Sequence, residues 1–233
     1  MRSVFVTGTD TSVGKTAVTA ALLAWMRTKR VDAVPMKPVQ TGWPEADDIA
    51  WALQEAGLIP FEDERAFMNP YRFALPASPH LAARDAGKTI DLETIRKAYE
   101  ALAKKHEVVI VEGAGGLLVP LNDKDLMIDI PKLLRLPVLI VARPTLGTLN
   151  HTLLSVRELL RNDLHVVGII LSEKAPGSWG QIEEDNLRTL RKATGLPVLR
   201  MPHLRTGKAG ALADQFQSLD NVFSGLSNHW KHS

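Results

Sequence analysis

The 233-residue chain is expected to fold as an α/β protein, with a doubly wound, mostly parallel sheet flanked by helices. Short apolar runs typical of fully buried strands alternate with longer segments in which apolar side chains recur at helical spacing. The first run leads directly into a glycine-bounded loop and a helix, which is the order of a phosphate-binding loop. The chain is 45% hydrophobic and long enough for one well-buried unit, so we assign residues 1–233 to a single domain.

Composition narrows the classes of function. The chain has no cysteine, which excludes disulfides, thiolate zinc sites and cysteine nucleophiles. Its net charge is +2 with scattered lysines and arginines, so no nucleic-acid partner is expected. No apolar run approaches the about 20 residues that span a membrane, and the N-terminus enters a strand without a signal peptide. We therefore expect a cytoplasmic protein without a membrane partner.

The organising feature is the phosphate-loop segment Gly8–Thr16. Backbone N–H groups around Gly14, at the positive end of a helix, are suited to phosphate oxygens. Lys15 supplies a charge for the β- and γ-phosphates, and Thr16 offers a hydroxyl to Mg²⁺. The common pattern has four residues between its glycines, whereas five separate Gly8 from Gly14 here. The match therefore needs support from the rest of the chain.

The remaining elements follow from apolar patterning along the chain. Strands are predicted at Ser3–Val6, Val31–Met36, Val108–Val111, Val138–Ala142, Val166–Leu171 and Val198–Met201. Helices are predicted at about Gly14–Lys29, Asp48–Ala56, Leu92–Lys105, Leu149–Arg161 and Ile182–Thr194, with a weaker signal near Leu212–Phe216. Residues 58–80 contain four prolines and are expected to be an irregular, functional loop.

Ligands of a parallel sheet bind at the carboxyl ends of its strands. Four segments follow strand ends and are expected to converge: residues 7–16, 37–41, 112–116 and 143–150. Glu112, at the end of an apolar strand, is a candidate Mg²⁺ ligand, and Lys37, before a proline, is a candidate active-site lysine. Asp47 and Asp48 lie at the start of a predicted helix. Helix capping alone accounts for an acid at this place, and a role near Mg²⁺ is the alternative for either residue. The residues alone thus predict Mg²⁺-nucleotide-dependent phosphoryl-transfer or ligase chemistry, without a substrate.

Five segments together resemble the dethiobiotin synthetase family of P-loop NTPase-like proteins. They are Gly8–Thr16, Lys37–Gly42, Pro76–Arg84, Val111–Pro120 and Leu146–His151. They occur in the family's order across most of residues 1–172, and the longer phosphate loop is the family's own form. The resemblance implies an ATP- and Mg²⁺-dependent ligase that joins CO₂ to 7,8-diaminononanoate through a carbamate and a carbamic–phosphoric anhydride. It also implies a homodimer in which the substrate carboxylate reaches the neighbouring subunit.

The resemblance implies a role for each matching residue. Lys15 and Lys37 are the implied catalytic residues. The implied nucleotide-binding residues are Ser12, Val13, Gly14, Lys15, Thr16, Ala17, Ser172, Pro202, His203 and Leu204. The implied substrate-binding residues are Thr11, Lys37, Thr41, Gly147, Thr148, Leu149 and Asn150, and the implied metal ligands are Thr16, Asp48 and Glu112. The alignment favours Asp48 over Asp47 as the acid in this set.

One position departs from the family and one other class shares the fold. Some relatives carry Asn-Asp where this chain has Ser172-Glu173, and that Asn reads adenine. A hydroxyl cannot repeat the paired donor and acceptor of an amide, so we expect other nucleoside triphosphates to be accepted. The alternative is a ParA- or MinD-like partition or division-site ATPase. That class has a Lys-Gly-Gly run in its phosphate loop, where this chain has Asp10-Thr11-Ser12.

Overall fold

A parallel sheet forms the centre of the computed structural model, which describes residues 3–59, 62–207, 212, 215–224 and 226. The strands are β1 (Val4–Gly8), β2 (Ala33–Met36), β3 (Val39–Thr41), β4 (Tyr71–Phe73), β5 (Val108–Glu112), β6 (Val138–Ala142), β7 (Val166–Ser172) and β8 (Val198–Met201). Six of them form one sheet in the order β2-β5-β1-β6-β7-β8, while β3 and β4 pair separately. Every pairing between these strands is parallel, which confirms the predicted fold class.

Helices cover both faces of the six-stranded sheet. They are α1 (Lys15–Thr28), α2 (Asp48–Ala56), α3 (Arg65–Met68), α4 (Pro79–Asp85), α5 (Leu92–Ala103), α6 (Asp129–Leu134), α7 (Thr148–Arg161), α8 (Gln181–Thr194) and α9 (Phe216–Phe223). Among the described residues, none of the helices is both long and apolar enough to cross a bilayer.

The sheet separates two apolar clusters, and strand β5 contributes to both. Val109 and Val111 point into the cluster that contains residues of α5, α7 and α8. Val108 and Ile110 point into the cluster that contains residues of α1 and α9. Successive side chains of a strand alternate between faces, so a strand covered on both sides must be apolar throughout. This is why the continuous apolar runs in the sequence identified the strands.

The structure differs from the sequence prediction where elements are short. Residues 58–80 are not simply an irregular loop, because they contain α3, β4 and the start of α4, and helix α6 was not predicted. Elements of three to seven residues are too short for a periodic pattern to be recognised. The helix predicted near Leu212–Phe216 is wrong in its bounds, since α9 begins at Phe216; residues 213 and 214 lie outside the described residues. The assignment of all 233 residues to one domain stays a prediction.

The register of the sheet brings three strand ends together beside the phosphate loop. Val6 of β1 pairs with Glu112 of β5, and Gly8 pairs with Val141 of β6. The Thr9 amide then donates to the Val141 carbonyl oxygen at 3.1 Å. Because β1 lies between β5 and β6, the phosphate loop is flanked by the residues that end both neighbours.

Candidate active site

The phosphate loop needs glycine at both of its ends. Gly14 has a φ of +102°, and a Cβ there would lie 2.7 Å from the Ser172 hydroxyl oxygen. A Cβ on Gly8 would lie 2.7 Å from the carbonyl oxygen of Asp10. Both contacts are far closer than carbon and oxygen tolerate, and φ is in the left-handed region at Gly14. The loop is therefore folded tightly on itself and against the end of β7.

Lys15 lies folded into this loop. Its Nζ donates to the Asp10 carbonyl oxygen at 2.9 Å, and the residue is only 7% exposed. Burial lowers the pKa of Lys15 to about 8, although Glu112 acts in the opposite direction and Lys37 adds to the lowering. Desolvation penalises an ammonium group, so an approaching phosphate stabilises the charged form of this lysine.

Lys37 and Glu112 form the buried centre of the site. Oε1 of Glu112 accepts hydrogen bonds from the Thr16 hydroxyl at 2.9 Å and from the Lys37 Nζ at 3.0 Å. Lys37 also pairs with the Asp48 carboxylate. Burial alone would lower the pKa of Lys37, but Glu112 and Asp48 together raise it above its usual value. The lysine therefore acts as a fixed positive charge here and is poorly suited to be a general base.

The two neighbouring aspartates have different surroundings. Asp47 is the N-cap of α2, where its Oδ1 accepts from the Ala50 amide at 2.9 Å, and it also pairs with Arg65. Burial would raise the pKa of Asp47, but the bonds from Arg65 and Ala50 hold it below its usual value. Asp48 instead reaches Lys37. The capping role considered from the sequence is thus filled by Asp47, whereas the role of Asp48 near Mg²⁺ stays a prediction.

These groups line a pocket of about 400 Å³. The predicted site residues around it are Thr11, Ser12, Gly14, Lys15, Thr16, Ala17, Lys37, Thr41, Asp48 and Glu112. Gln40 was missed by sequence reasoning. Its Nε2 donates to the Thr41 carbonyl oxygen at 2.8 Å, and its Oε1 accepts from the Asp48 amide at 3.4 Å. It therefore orients both neighbours, and its place inside the segment Lys37–Gly42 was the signal that could have identified it.

The donor set in this pocket fits Mg²⁺ held together with a nucleotide. The Thr16 hydroxyl and the carboxylates of Asp48 and Glu112 are hard oxygen ligands that share one pocket with Lys15. Within the described residues there is no group of three or more His, Cys, Asp or Glu side chains that could hold a metal. Mg²⁺ usually takes one or two carboxylates and completes its shell with phosphate oxygens and water, so two acids are sufficient.

A second pocket of about 230 Å³ also borders the phosphate loop. The predicted nucleotide-binding residues that line it are Ser12, Val13, Gly14, Ala17, Ser172, Pro202, His203 and Leu204. Ser12, Gly14 and Ala17 line both pockets, so the two are adjacent. The other lining residues include Trp51, Arg143 and Glu173. Arg143 lies in the segment 143–150 that was expected to reach the site, and Glu173 follows Ser172, but sequence reasoning missed Trp51 because no local motif marks it.

Glu173 holds one wall of this second pocket. Its Oε1 accepts from Nη2 of Arg200 at 2.9 Å, and its Oε2 accepts from the His203 amide at 3.0 Å. The Glu173 amide donates to the Met201 carbonyl oxygen at 3.0 Å. Both carboxylate oxygens are thus used to fix residues 200–203 beside the end of β7.

Arg143 ties the tip of the phosphate loop to the end of β6. Its Nη2 donates to Oδ2 of Asp10 at 2.9 Å and to the Thr11 carbonyl oxygen at 3.0 Å. Lys15 donates to the carbonyl of the same aspartate. Arg143 therefore helps to position the loop from which Thr11 enters the 400 Å³ pocket.

The segment Gly147–Asn150 stands apart from the other predicted substrate residues. Gly147 caps α7 with a φ of +93°, and the Thr148 side chain is buried near the Thr152 hydroxyl at 3.3 Å. Gly147 and Asn150 are exposed, and none of the four residues Gly147, Thr148, Leu149 and Asn150 lines the 400 Å³ pocket. Within one chain, the structure does not bring them to Thr11 and Thr41.

Comparison with known proteins adds family relationships to this geometry. The model of a family described as an AAA domain matches residues 2–205. The chain is 48% identical over 205 residues to "ATP-dependent dethiobiotin synthetase BioD" of Anaeromyxobacter sp. (strain K), a match that covers 87% of this chain and 90% of the relative. It is 41% identical over 202 residues to the protein of the same name from Halalkalibacterium halodurans, covering 85% and 83%.

A solved structure gives an independent view of the fold. The chain superposes on a ParA family ATPase from Chlorobium tepidum TLS with a TM-score of 0.56 and 16% identity, covering 98% of this chain and 93% of the other. This confirms the predicted P-loop NTPase-like fold. An identity this low shows the shared fold alone.

Proposed function

Because the chain belongs to the family of ATP-dependent dethiobiotin synthetases, we propose that it closes 7,8-diaminononanoate and CO₂ into dethiobiotin while converting ATP to ADP and phosphate. The observation that carries this proposal is the pocket in which Lys15, Lys37 and Glu112 meet beside the phosphate loop. Family membership favours this ligase over the partition- or division-site ATPase, with which the chain shares its fold.

The proposed reaction has three steps. One amine attacks CO₂ and loses a proton, which forms a carbamate. A carbamate oxygen then attacks the γ-phosphorus of ATP, and the bond to the ADP oxygen breaks, which yields a carbamic–phosphoric anhydride. The second amine attacks the carbamoyl carbon, phosphate leaves with the bonding electron pair, and a cyclic urea forms after proton loss. Each step depends on holding charged groups in line more than on covalent chemistry by the protein.

The two lysines have the charge state that these steps require. The raised pKa of Lys37 keeps its ammonium protonated, so it can neutralise the carbamate. The Lys15 ammonium is proposed to neutralise the β- and γ-phosphates. Thr11 and Thr41 line the same pocket and are proposed to hydrogen-bond the diamine and carbamate end of the substrate. Electrostatic stabilisation of this kind is often the largest single contribution to catalysis.

Mg²⁺ is proposed to bind with ATP through Thr16, Asp48 and Glu112. When bound, it would supply charge neutralisation at the β- and γ-phosphates. The same carboxylates hold Lys37 in the structure. Asp48 and Glu112 would therefore hold both the metal and the Lys37 ammonium, which is proposed to neutralise the carbamate.

The protein is proposed to act as a homodimer in the cytoplasm, where ATP is available, without a nucleic-acid or membrane partner. Gly147–Asn150 would bind the substrate carboxylate of the partner subunit through backbone N–H groups at the start of α7. Exposed apolar side chains support this assembly. Leu146 is 94% exposed directly before this segment, and Leu118 and Leu154 are more than half exposed.

The direct test is phosphate release from ATP in the presence of bicarbonate. Addition of 7,8-diaminononanoate is expected to stimulate release, and removal of CO₂ is expected to abolish the stimulation. Product identity is checked by mass spectrometry of dethiobiotin. Phosphate release at the same rate with and without the diamine would overturn the proposal and favour a simple ATPase.

A further inference from the structure

The 230 Å³ pocket contains one large aromatic side chain, Trp51 of α2. Trp51 lies three residues after Asp48, and side chains at this spacing share one face of a helix. Asp48 lines the 400 Å³ pocket and Trp51 lines the adjacent 230 Å³ pocket. A nucleotide whose phosphates lie on the loop would therefore place its base against the same helix face that carries the metal-site aspartate.

The Trp51 side chain borders both the apolar core and the pocket. It is half-buried, and it packs against the apolar cluster beneath α1. It also lines the 230 Å³ pocket. A tryptophan that only filled the core would not line a cavity. Trp51 therefore packs against the core and also forms an apolar wall of the pocket.

Ser172 and Glu173 of this pocket are poorly suited to read a base. Glu173 uses both carboxylate oxygens on Arg200 and the His203 amide. The Ser172 hydroxyl is pressed against Gly14 and is a single rotating donor and acceptor. No Asn or Gln occurs among the described residues that line this pocket. The paired donor and acceptor of an amide are thus missing from its described side chains.

We propose that Trp51 is a base-stacking residue that supplies most of the base-dependent affinity of the nucleotide site. The proposal rests on the function proposed above and adds a specificity-determining residue to it. Stacking uses the π-face that every base has, so it tolerates changes at the hydrogen-bonding edge. Trp51 accordingly binds adenine and guanine nucleotides about equally and the smaller pyrimidines less tightly.

The test is equilibrium binding of ADP, GDP and CDP to the full chain, measured by calorimetry. Base stacking is worth about 1–3 kcal/mol, so Trp51→Leu is expected to raise the Kd of ADP and of GDP by the same factor, about 5- to 150-fold. Trp51→Phe keeps an aromatic face and is expected to stay within about threefold of the parent. Inorganic tripolyphosphate has no base, and its Kd is expected to be the same in all three proteins.

Tryptophan fluorescence gives a second readout. ADP is expected to quench the emission of the parent chain, and Trp51→Phe is expected to lose this quenching. Trp43→Phe is the matched control, because Trp43 stacks with Arg72 at 4.9 Å and does not line the 230 Å³ pocket. It is expected to retain the quenching.

Several outcomes would overturn the proposal. An unchanged Kd of ADP in Trp51→Leu would do so, as would equal weakening of tripolyphosphate, which would indicate a purely structural role. Its failure is distinct from failure of the ligase function. If the parent chain turns over the diamine and the Trp51 variants bind ADP normally, only the stacking proposal is refuted. If the parent chain binds no nucleotide, both proposals are refuted.

Discussion

Oε1 of Glu112 lies 3.0 Å from Nζ of Lys37, and the same oxygen accepts a hydrogen bond from Thr16. One buried carboxylate oxygen therefore joins the phosphate loop to the lysine at the end of β2. A change at either residue alters the charge balance on both sides of the pocket.

Replacement of Lys37 by alanine is expected to lower kcat by at least about a hundredfold, because the carbamate loses its neutralising charge. Binding of ADP is expected to remain largely intact. The stability is expected to fall by about 3–5 kcal/mol, since Glu112 becomes a buried carboxylate without its partner. Steady-state kinetics, calorimetry and denaturant unfolding measure the three effects. Lys97→Ala, an exposed lysine on α5, is the matched control. Loss of nucleotide binding in Lys37→Ala, with an intact fold, would contradict the assigned role.

Asp48→Asn is expected to change the Mg²⁺ requirement of the enzyme, whereas Asp47→Asn is expected to change only its stability. Asp48→Asn removes a proposed ligand, so the Mg²⁺ concentration for half-maximal activity is expected to rise at least about tenfold. Asp47→Asn leaves that concentration within about twofold, since an asparagine still caps α2. It loses the ion pair with Arg65, with a stability cost of about 1 kcal/mol. Mg²⁺ titrations of activity and urea unfolding measure both. A larger change in Mg²⁺ requirement for Asp47→Asn would exchange the two roles.

The affinity for inorganic tripolyphosphate is expected to fall as the pH rises from 7 to 9. The pKa of Lys15 is lowered to about 8 by burial. Below that pH the side chain is mostly protonated and attracts the anion. Above it the charge is lost, so the Kd rises by up to about tenfold per pH unit. Calorimetry across this range measures the slope, with Lys15→Met as the control that is expected to flatten it. A slope that is unchanged in Lys15→Met would refute the attribution to this lysine.

GTP is expected to support turnover with a kcat/KM within about a hundredfold of that for ATP, a difference below about 2.7 kcal/mol. The reason is that Ser172 offers one hydroxyl where some relatives carry an amide. Paired steady-state measurements with the two nucleotides give the ratio. Ser172→Ala is expected to leave the ratio unchanged, because the hydroxyl does not discriminate between the bases. A preference for ATP above a hundredfold would show that another group reads the base.

Leu146→Asp is expected to shift the protein towards monomers and to reduce activity, while ADP binding stays within about threefold of the parent. Leu146 is 94% exposed next to the segment that is proposed to serve the partner subunit. A charge buried in a contact without a partner is costly. Light scattering measures the assembly, and calorimetry measures ADP binding. Ile182→Asp is the control, since Ile182 is also exposed, at 61%, and lies on α8, away from the segment Gly147–Asn150 in sequence. Equal behaviour of both variants would argue against an interface at Leu146.

Much of the fold was determined by local pattern. Largely apolar runs identified all six strands of the central sheet, because a parallel strand covered on both faces can carry few polar residues. Glycine spacing before Lys15 identified the phosphate loop, since only glycine fits its close contacts. The rule that ligands bind at strand ends then predicted that Lys37 and Glu112 lie near Lys15, and all three line one pocket.

Other features were decided only by tertiary structure. Asp47 and Asp48 are adjacent in sequence, but Asp47 is the N-cap with a non-helical backbone and Asp48 is the first residue of α2. One therefore meets Arg65 and the other meets Lys37. Glu173 uses both carboxylate oxygens to accept hydrogen bonds from Arg200 and the His203 amide. Trp51 lines the same pocket as Glu173 although the two lie far apart in sequence. Sequence spacing determines which face or strand end a residue occupies. Which partner it meets there depends on how separate elements pack, and no local pattern encodes that packing.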